Sequence, residues 1–150
     1  TALKKVYDEK VDPIEQIDKA LLKAENEDKF VICQVGGNWC PCCLRFADFM
    51  TKDAAISKVV NENFVFIHTN YNPRNKADAV QTKRAEKLMK MLGFPGRFGF
   101  PVFVVLNSEG KVLHIQDSGY LEEGNSYDQK KVMRFFQNWT PKAVKGIAAK

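Results

Sequence analysis

The chain has 150 residues, enough for one domain whose hydrophobic core needs no disulfide bonds to hold it together. Its net charge of +5 comes from scattered lysines, which are typical of solvated helix faces, and no RNA-binding signature or zinc-finger spacing favours a nucleic-acid partner. No apolar run is long enough for a membrane span, and we expect a monomeric single domain over residues 1–150, with an N-terminal extension at 1–29 and a core at 30–139.

The first predicted elements are a helix, a buried strand and a second helix. Asp12 is a good helix cap, and apolar residues recur at helical spacing over 13–24. The almost continuous apolar run at 30–35 predicts a strand that is covered on both faces. A helix over 40–50 follows, with a further turn or two after the possible cap Asp53.

The second half of the chain continues to alternate between strand and helix patterns. These predict a strand at 64–68, a helix at 78–92, a loop rich in Gly, Pro and Phe at 93–100, a strand at 102–106, a hairpin turn at 107–110, a returning strand at 111–116 and a last helix that stops before Pro141. Short strands separated by helices form right-handed parallel units, and the hairpin adds an antiparallel strand. The sequence therefore predicts an α/β fold, a mixed four-strand core sheet with helices on both faces.

The four cysteines are clustered rather than spread along the chain. They are Cys33, Cys40, Cys42 and Cys43, and the last three fall within four residues. A disulfide-stapled module would distribute its cysteines to close loops. The clustering therefore indicates chemistry rather than scaffolding.

Cys40 and Cys43 form a Cys-x-x-Cys pair where a predicted strand hands over to a helix. If Cys40 caps that helix and Pro41 takes its first position, the following N–H groups point toward the Cys40 sulfur. These groups and the helix dipole favour the thiolate, which is the nucleophilic form of cysteine. Cys43 lies three residues on, on the same helical face, close enough to resolve a mixed disulfide.

The segment Trp39-Cys40-Pro41-Cys42-Cys43 resembles the Trp-Cys-x-x-Cys motif of the thioredoxin superfamily, and Phe100-Pro101-Val102 resembles its cis-proline segment. The resemblance covers roughly 30–139 and is nearest to bacterial thioredoxin-like disulfide isomerase or reductase modules. It implies a thioredoxin-like fold, Cys40 as nucleophile and Cys43 as resolving residue. It also implies that Pro101 is cis and that its neighbours pair with the substrate backbone.

Three departures limit what the resemblance carries over. The dipeptide Pro41-Cys42 stands where thioredoxin has Gly-Pro, so the redox potential is not inherited. Gln34 stands where thioredoxin has a buried Asp that assists proton transfer, and glutamine cannot titrate. Cys42 is an additional thiol within the motif, and we expect it to be turned away from the Cys40–Cys43 face.

Several other side chains have both a packing and a functional interpretation. Phe94, Phe98 and Phe100 flank Pro101, either as core residues or as an apolar platform for extended substrate chains. Trp39 is expected to shield the active-site disulfide while it packs partly against the sheet. The remaining candidates are interpreted as core or edge residues rather than ligands, and they are Cys33, His68 and His114.

The leading hypothesis is an enzyme that exchanges disulfides with protein thiols and is served by an unidentified thiol redox partner. We expect no bound cofactor and no resident metal, because electrons pass through the Cys40–Cys43 disulfide couple. The first alternative is a protein that handles a soft metal, copper or zinc, through Cys40, Cys42 and Cys43. The second is a non-catalytic module that binds client chains.

The expected compartment is periplasmic or otherwise extracytoplasmic, with a cytoplasmic location as the alternative. The chain starts at Thr1 without an initiator Met or an apolar signal core, which favours a mature or trimmed chain. The resemblance to bacterial disulfide isomerases favours the same compartment.

Overall fold

The computed structural model describes residues 3–73 and 76–148, and within them it contains a four-stranded sheet flanked by helices. The helices are α1 (Pro13–Glu27), α2 (Pro41–Lys52), α3 (Ala54–Asn63), α4 (Ala79–Met91), α5 (Gln129–Asn138) and α6 (Pro141–Ala148). The strands are β1 (Phe30–Gly36), β2 (Phe64–Asn70), β3 (Val102–Leu106), β4 (Val112–Asp117) and the two-residue β5 (Glu122–Glu123) and β6 (Ser126–Tyr127).

The sheet has the order β2-β1-β3-β4. β1 and β2 are parallel, whereas β3 runs antiparallel to both β1 and β4. The parallel pair results from the helical crossover between β1 and β2, and the antiparallel pair from the tight turn after Leu106. The predicted mixed four-strand sheet is confirmed.

Each face of the sheet is covered by its own set of helices. On one face α1 and α4 pack against alternate residues of β1, which are Val31, Cys33 and Val35. On the other face α2, α3 and α5 pack a cluster rich in phenylalanine against Ile32 and Phe103. Because side chains alternate along a strand, Gln34 points to the face that carries α2. This alternation places Gln34 beneath the start of that helix.

Local capping sets the helix boundaries. Asp12 Oδ1 accepts a hydrogen bond from the N–H of Ile14 at 2.9 Å, which starts α1 as predicted. Asp53 ends α2 and also accepts from the N–H of Ile56 at 3.0 Å, so α3 extends for ten residues instead of the expected turn or two.

Some elements were not expected from the sequence. Thr140 Oγ1 accepts from the N–H of Ala143 at 3.2 Å and starts α6, so Pro141 opens a new helix as well as following the end of α5. The two-residue hairpin of β5 and β6 is too short to give a periodic signal. Within the described ranges, none of the helices combines the length and the apolar character that crossing a membrane requires.

Candidate active site

Cys40 occupies the position immediately before α2, as predicted. Its backbone is extended, with φ −108° and ψ 106°, while Pro41 takes the first helical position. Its sulfur accepts a hydrogen bond from the backbone N–H of Cys43 at 3.3 Å. The helix start thus directs backbone donors and the positive end of its dipole at the Cys40 sulfur.

The two thiols of the pair have opposite pKa shifts. The pKa of Cys40 is lowered to about 7, first by a hydrogen bond from the Cys43 thiol, then by the N–H groups of Cys43 and Cys42 and by the charge of Arg45, against the opposing effect of burial. The pKa of Cys43 is raised, first by its hydrogen bond to Cys40 and then by burial. Near neutral pH, a large fraction of Cys40 is therefore thiolate, whereas Cys43 remains a thiol.

Cys42 has separate partners. Arg45 Nη2 donates to the Cys42 sulfur at 2.9 Å, and the Tyr127 hydroxyl donates to the Cys42 carbonyl oxygen at 2.9 Å. Cys42 is partly exposed, whereas Cys40 and Cys43 are buried. Across 3–73 and 76–148 no three His, Cys, Asp or Glu side chains are grouped so that they could hold a metal ion.

Gln34 is fully buried and supports the helix start from below. Its Nε2 donates to the Cys43 carbonyl oxygen at 3.0 Å and to the Tyr7 hydroxyl at 2.9 Å. Its Oε1 is buried without a partner among the residues that the structure describes. The neutral amide therefore acts as a hydrogen-bond donor at the place that the resemblance gives to a carboxylate.

The N-terminal segment covers the cysteine pair, a contact that sequence reasoning missed. Tyr7 is 5% exposed and packs against Cys40 and Cys43. Asn38 fixes this segment, because its Oδ1 accepts from the N–H groups of Val6 at 3.2 Å and Tyr7 at 3.0 Å, while its Nδ2 donates to the Tyr7 carbonyl oxygen at 2.9 Å. The segment has no periodic pattern, so no sequence signal placed it here.

Trp39 and the proline loop form the rim of the site. Trp39 Nε1 donates to the Tyr71 carbonyl oxygen at 2.8 Å, and its ring meets Phe100 edge-on with 5.6 Å between centroids. Phe100 in turn stacks on Tyr71 at 5.0 Å. The Phe100–Pro101 peptide bond is cis, as predicted. Trp39 therefore packs beside the cysteine pair and joins it to the proline loop.

The phenylalanines of the loop divide between the two interpretations. Phe100 packs into the rim, whereas Phe94 is 61% exposed and Phe98 is 46% exposed. Phe94 also lines a cleft of about 250 Å³, together with Tyr71 and Met89. Val102 is fully buried within the sheet. Substrate contact remains a prediction for the four residues named for it, which are Phe98, Phe100, Pro101 and Val102.

The other candidates lie in the strands. Cys33 is fully buried, and burial raises the pKa of its thiol to about 12, which makes it unreactive. His68 pairs in register with Gln34 on the neighbouring strand, and its ring meets the Tyr7 ring edge-on at 5.4 Å. His114 stacks on Trp139 at 4.5 Å. Both histidines therefore pack against aromatic rings, as a core or edge residue does.

Comparisons with known proteins agree on the fold. The model of the Thioredoxin-like domain family matches residues 17–135. A disulphide isomerase from Xylella fastidiosa Temecula1 is similar in structure, with a TM-score of 0.74 and 25% identity over 91% of this chain and 98% of that one. The C-terminal domain of Neisseria meningitidis DsbD, in its oxidised form, gives 0.54 and 22% over 89% of this chain and 98% of that one. A DsbH oxidoreductase gives 0.55 and 17% over 79% and 77%. Comparison with curated protein sequences gives no match.

Proposed function

The chain belongs to the thioredoxin-like domain family, and on that premise we propose that it is a thiol–disulfide oxidoreductase whose redox couple is Cys40 and Cys43. The observation that carries this proposal is the pair of neighbouring thiols at one helix start, where the Cys40 sulfur accepts a hydrogen bond from the N–H of Cys43 at 3.3 Å and the two pKa values shift in opposite directions. The pKa of Cys40 is lowered to about 7, while that of Cys43 is raised. An inert pair of buried thiols would have both pKa values raised by burial.

The proposed reaction has two exchange steps. The Cys40 thiolate attacks one sulfur of a substrate disulfide, so that a mixed disulfide forms and the first substrate sulfur leaves as a thiolate. Cys43 then attacks the Cys40 sulfur, so that the Cys40–Cys43 disulfide forms and the second substrate thiolate leaves. The substrate gains two electrons and the pair loses two. A thiol redox partner returns the pair to its reduced form, and no bound cofactor is required.

We further propose that the substrates are protein disulfides and that the enzyme is a reductase or an isomerase. Support comes from the exposed rings of Phe94 and Phe98, which offer an apolar surface to an extended chain. The similar Xylella fastidiosa protein is described as a disulphide isomerase. We place the activity outside the cytoplasm, in a compartment such as the periplasm, because protein disulfides persist in oxidising compartments.

Two assays with the same variants test the activity and its direction. Insulin reduction measures reductase activity, and reactivation of scrambled ribonuclease measures isomerase activity. Cys40→Ser should abolish both. Cys43→Ser should abolish insulin reduction and accumulate mixed disulfides, but an isomerase would keep part of its activity because substrate thiols also resolve the mixed disulfide. A parent chain that is no more active than Cys40→Ser in either assay would refute the proposed function and favour the non-catalytic client-binding module.

The reduction potential of the couple separates reductants from oxidants. Equilibration with glutathione buffers, followed by alkylation and mass spectrometry, gives the oxidised fraction at each buffer ratio. A potential close to that of strongly oxidising bacterial enzymes would overturn the reductase assignment, because a pair with such a potential oxidises substrate thiols and does not reduce substrate disulfides.

A further inference from the structure

We propose that Tyr7 is a catalytic residue of this enzyme, whose hydroxyl donates a hydrogen bond to the Cys43 sulfur and assists that sulfur in resolving the mixed disulfide. The inference rests on the proposed function, because it concerns its second step. In that step, negative charge develops on a buried sulfur and needs a group that stabilises it. Cys43 is fully buried and must develop negative charge on sulfur, yet the residue below it, Gln34, is a neutral amide.

The position of Tyr7 is built by three separate contacts. Asn38 holds its backbone through two hydrogen bonds, with Oδ1 as acceptor and Nδ2 as donor. Gln34 Nε2 donates to its hydroxyl oxygen at 2.9 Å and also to the Cys43 carbonyl oxygen at 3.0 Å. Because the Gln34 amide nitrogen donates hydrogen bonds to both Tyr7 and Cys43, the Tyr7 hydroxyl is fixed beside the resolving cysteine.

The gap between these groups is small. A Cβ added at Gly36 would overlap the Cys43 sulfur and would lie 3.0 Å from the Tyr7 hydroxyl oxygen. The hydroxyl and the sulfur therefore both border the position that a methyl group would occupy, and they can lie there because residue 36 is a glycine.

Two donors lower the pKa of Cys43 against the larger effects that raise it. They are the backbone N–H of Gly37 and the hydroxyl of Tyr7. Tyr7 itself stays protonated, because burial and then the nearby charge of Cys43 raise its pKa. Its oxygen accepts from Gln34, so its proton is directed to the sulfur. A hydroxyl that keeps its proton is suited to stabilise a thiolate but not to act as a base.

Cys43 enters the resolving step as a thiol and must lose its proton in it. In the mixed disulfide the Cys40 sulfur carries no charge, so the Cys43 thiol no longer has a thiolate as its hydrogen-bond acceptor. The Cys43 proton passes through solvent to the departing substrate sulfur, and the S–S bond between Cys40 and Cys43 forms as the bond to the substrate breaks. The Tyr7 hydroxyl stabilises the charge on Cys43 during this transfer. The ionisable groups that face Cys43 are Cys40 from the helix start and Tyr7 from the N-terminal segment, with His68 behind Tyr7 on β2.

The test separates the two chemical steps in one stopped-flow trace. The reduced full chain is mixed with the aromatic disulfide of Ellman's reagent, which releases one coloured thiolate when Cys40 attacks and a second when Cys43 resolves. All proteins carry Cys42→Ser, so that colour reports only the pair. Tyr7→Phe keeps the ring and removes the hydroxyl. We expect the first phase to stay unchanged and the second to slow about tenfold or more at neutral pH, since hydrogen bonds to charged groups are the strong ones. Its pH inflection should move upward.

The matched control is Tyr127→Phe, which removes a buried hydroxyl that donates to the Cys42 carbonyl oxygen and not to a sulfur. It should keep both phases. Asn38→Ala is a second test that leaves the Tyr7 side chain intact. It removes the hydrogen bonds that hold the backbone of Val6 and Tyr7, and it should slow the second phase only.

The outcomes distinguish the inference from the proposed function. A second phase with the parent's rate and pH inflection in Tyr7→Phe overturns the role of Tyr7, and so does equal slowing in Tyr127→Phe. Should Tyr7→Phe fail to fold, an unchanged second phase in Asn38→Ala overturns it instead. If the parent shows no first phase, the proposed function fails and this inference falls with it.

Discussion

Replacing Cys43 by alanine should raise the pKa of Cys40. The hydrogen bond from the Cys43 thiol is the largest cause of the lowered value of about 7. An ordinary cysteine has a pKa of about 8.5, so at pH 7 the thiolate fraction is about one half in the parent and roughly 3% in an unperturbed thiol. The backbone donors and Arg45 remain in the variant. We therefore expect a partial loss, with the thiolate fraction at pH 7 falling about three- to tenfold.

Cys43→Ser is the matched control, because its hydroxyl can still donate to the Cys40 sulfur from the same position. The rate of alkylation of Cys40 by iodoacetamide, followed against pH by mass spectrometry, reports the thiolate fraction. The alanine variant should show an inflection well above that of the parent, with the serine variant between the two. If the alanine and serine variants both titrate like the parent, the helix start alone activates Cys40 and the reasoning from the side-chain hydrogen bond is wrong.

Three further predictions concern neighbouring residues. Cys42→Ser should keep most insulin-reducing activity, because the Cys42 sulfur bonds to Arg45; activity as low as in Cys40→Ser would require the pair to be reassigned. Burial lowers the pKa of His68 to about 4, below the value of about 6.5 in the unfolded chain. The unfolded chain thus binds this proton more readily, and the free energy of unfolding should fall by on the order of 2 kcal/mol as the pH drops from about 6.5 to 4, with a flatter urea-denaturation profile in His68→Gln. Gly36→Ala should lower the free energy of unfolding by about 1–3 kcal/mol in urea, because its Cβ would overlap the Cys43 sulfur; unchanged stability would contradict this geometry.

The parts of the fold that the sequence predicts are those governed by local periodicity and capping. The apolar run of β1, the helix that follows Cys40 and the cis bond before Pro101 all appear where expected. The alternation of β1 also predicts that Gln34 lies beneath the active site. Short-range rules of this kind depend on residues a few positions apart, and such residues are visible in a sequence.

What the sequence does not reveal depends on distant residues. Tyr7 meets Asn38 across 31 positions, and neither residue belongs to a periodic element. The predicted end of α5 before Pro141 is confirmed, but α6 after it was missed, since proline follows the end of one helix as readily as it begins another. The exposure of Phe94 and Phe98 also depends on how the loop folds, which composition alone does not determine.

The part of the chain that the family model matches is shorter than the part that forms the candidate active site. The family match begins at residue 17, within the first helix, whereas the side chain that covers the cysteine pair lies before that helix. A chain that lacked only the residues before α1 would still contain the sheet, the cysteines and α2, but it would lack Tyr7, which packs against Cys40 and Cys43. It would also open the buried face of Cys43 to water. Under the proposed role of Tyr7, a protein with the same core but without this N-terminal segment would lose the hydroxyl beside Cys43, and its mixed disulfides would last longer.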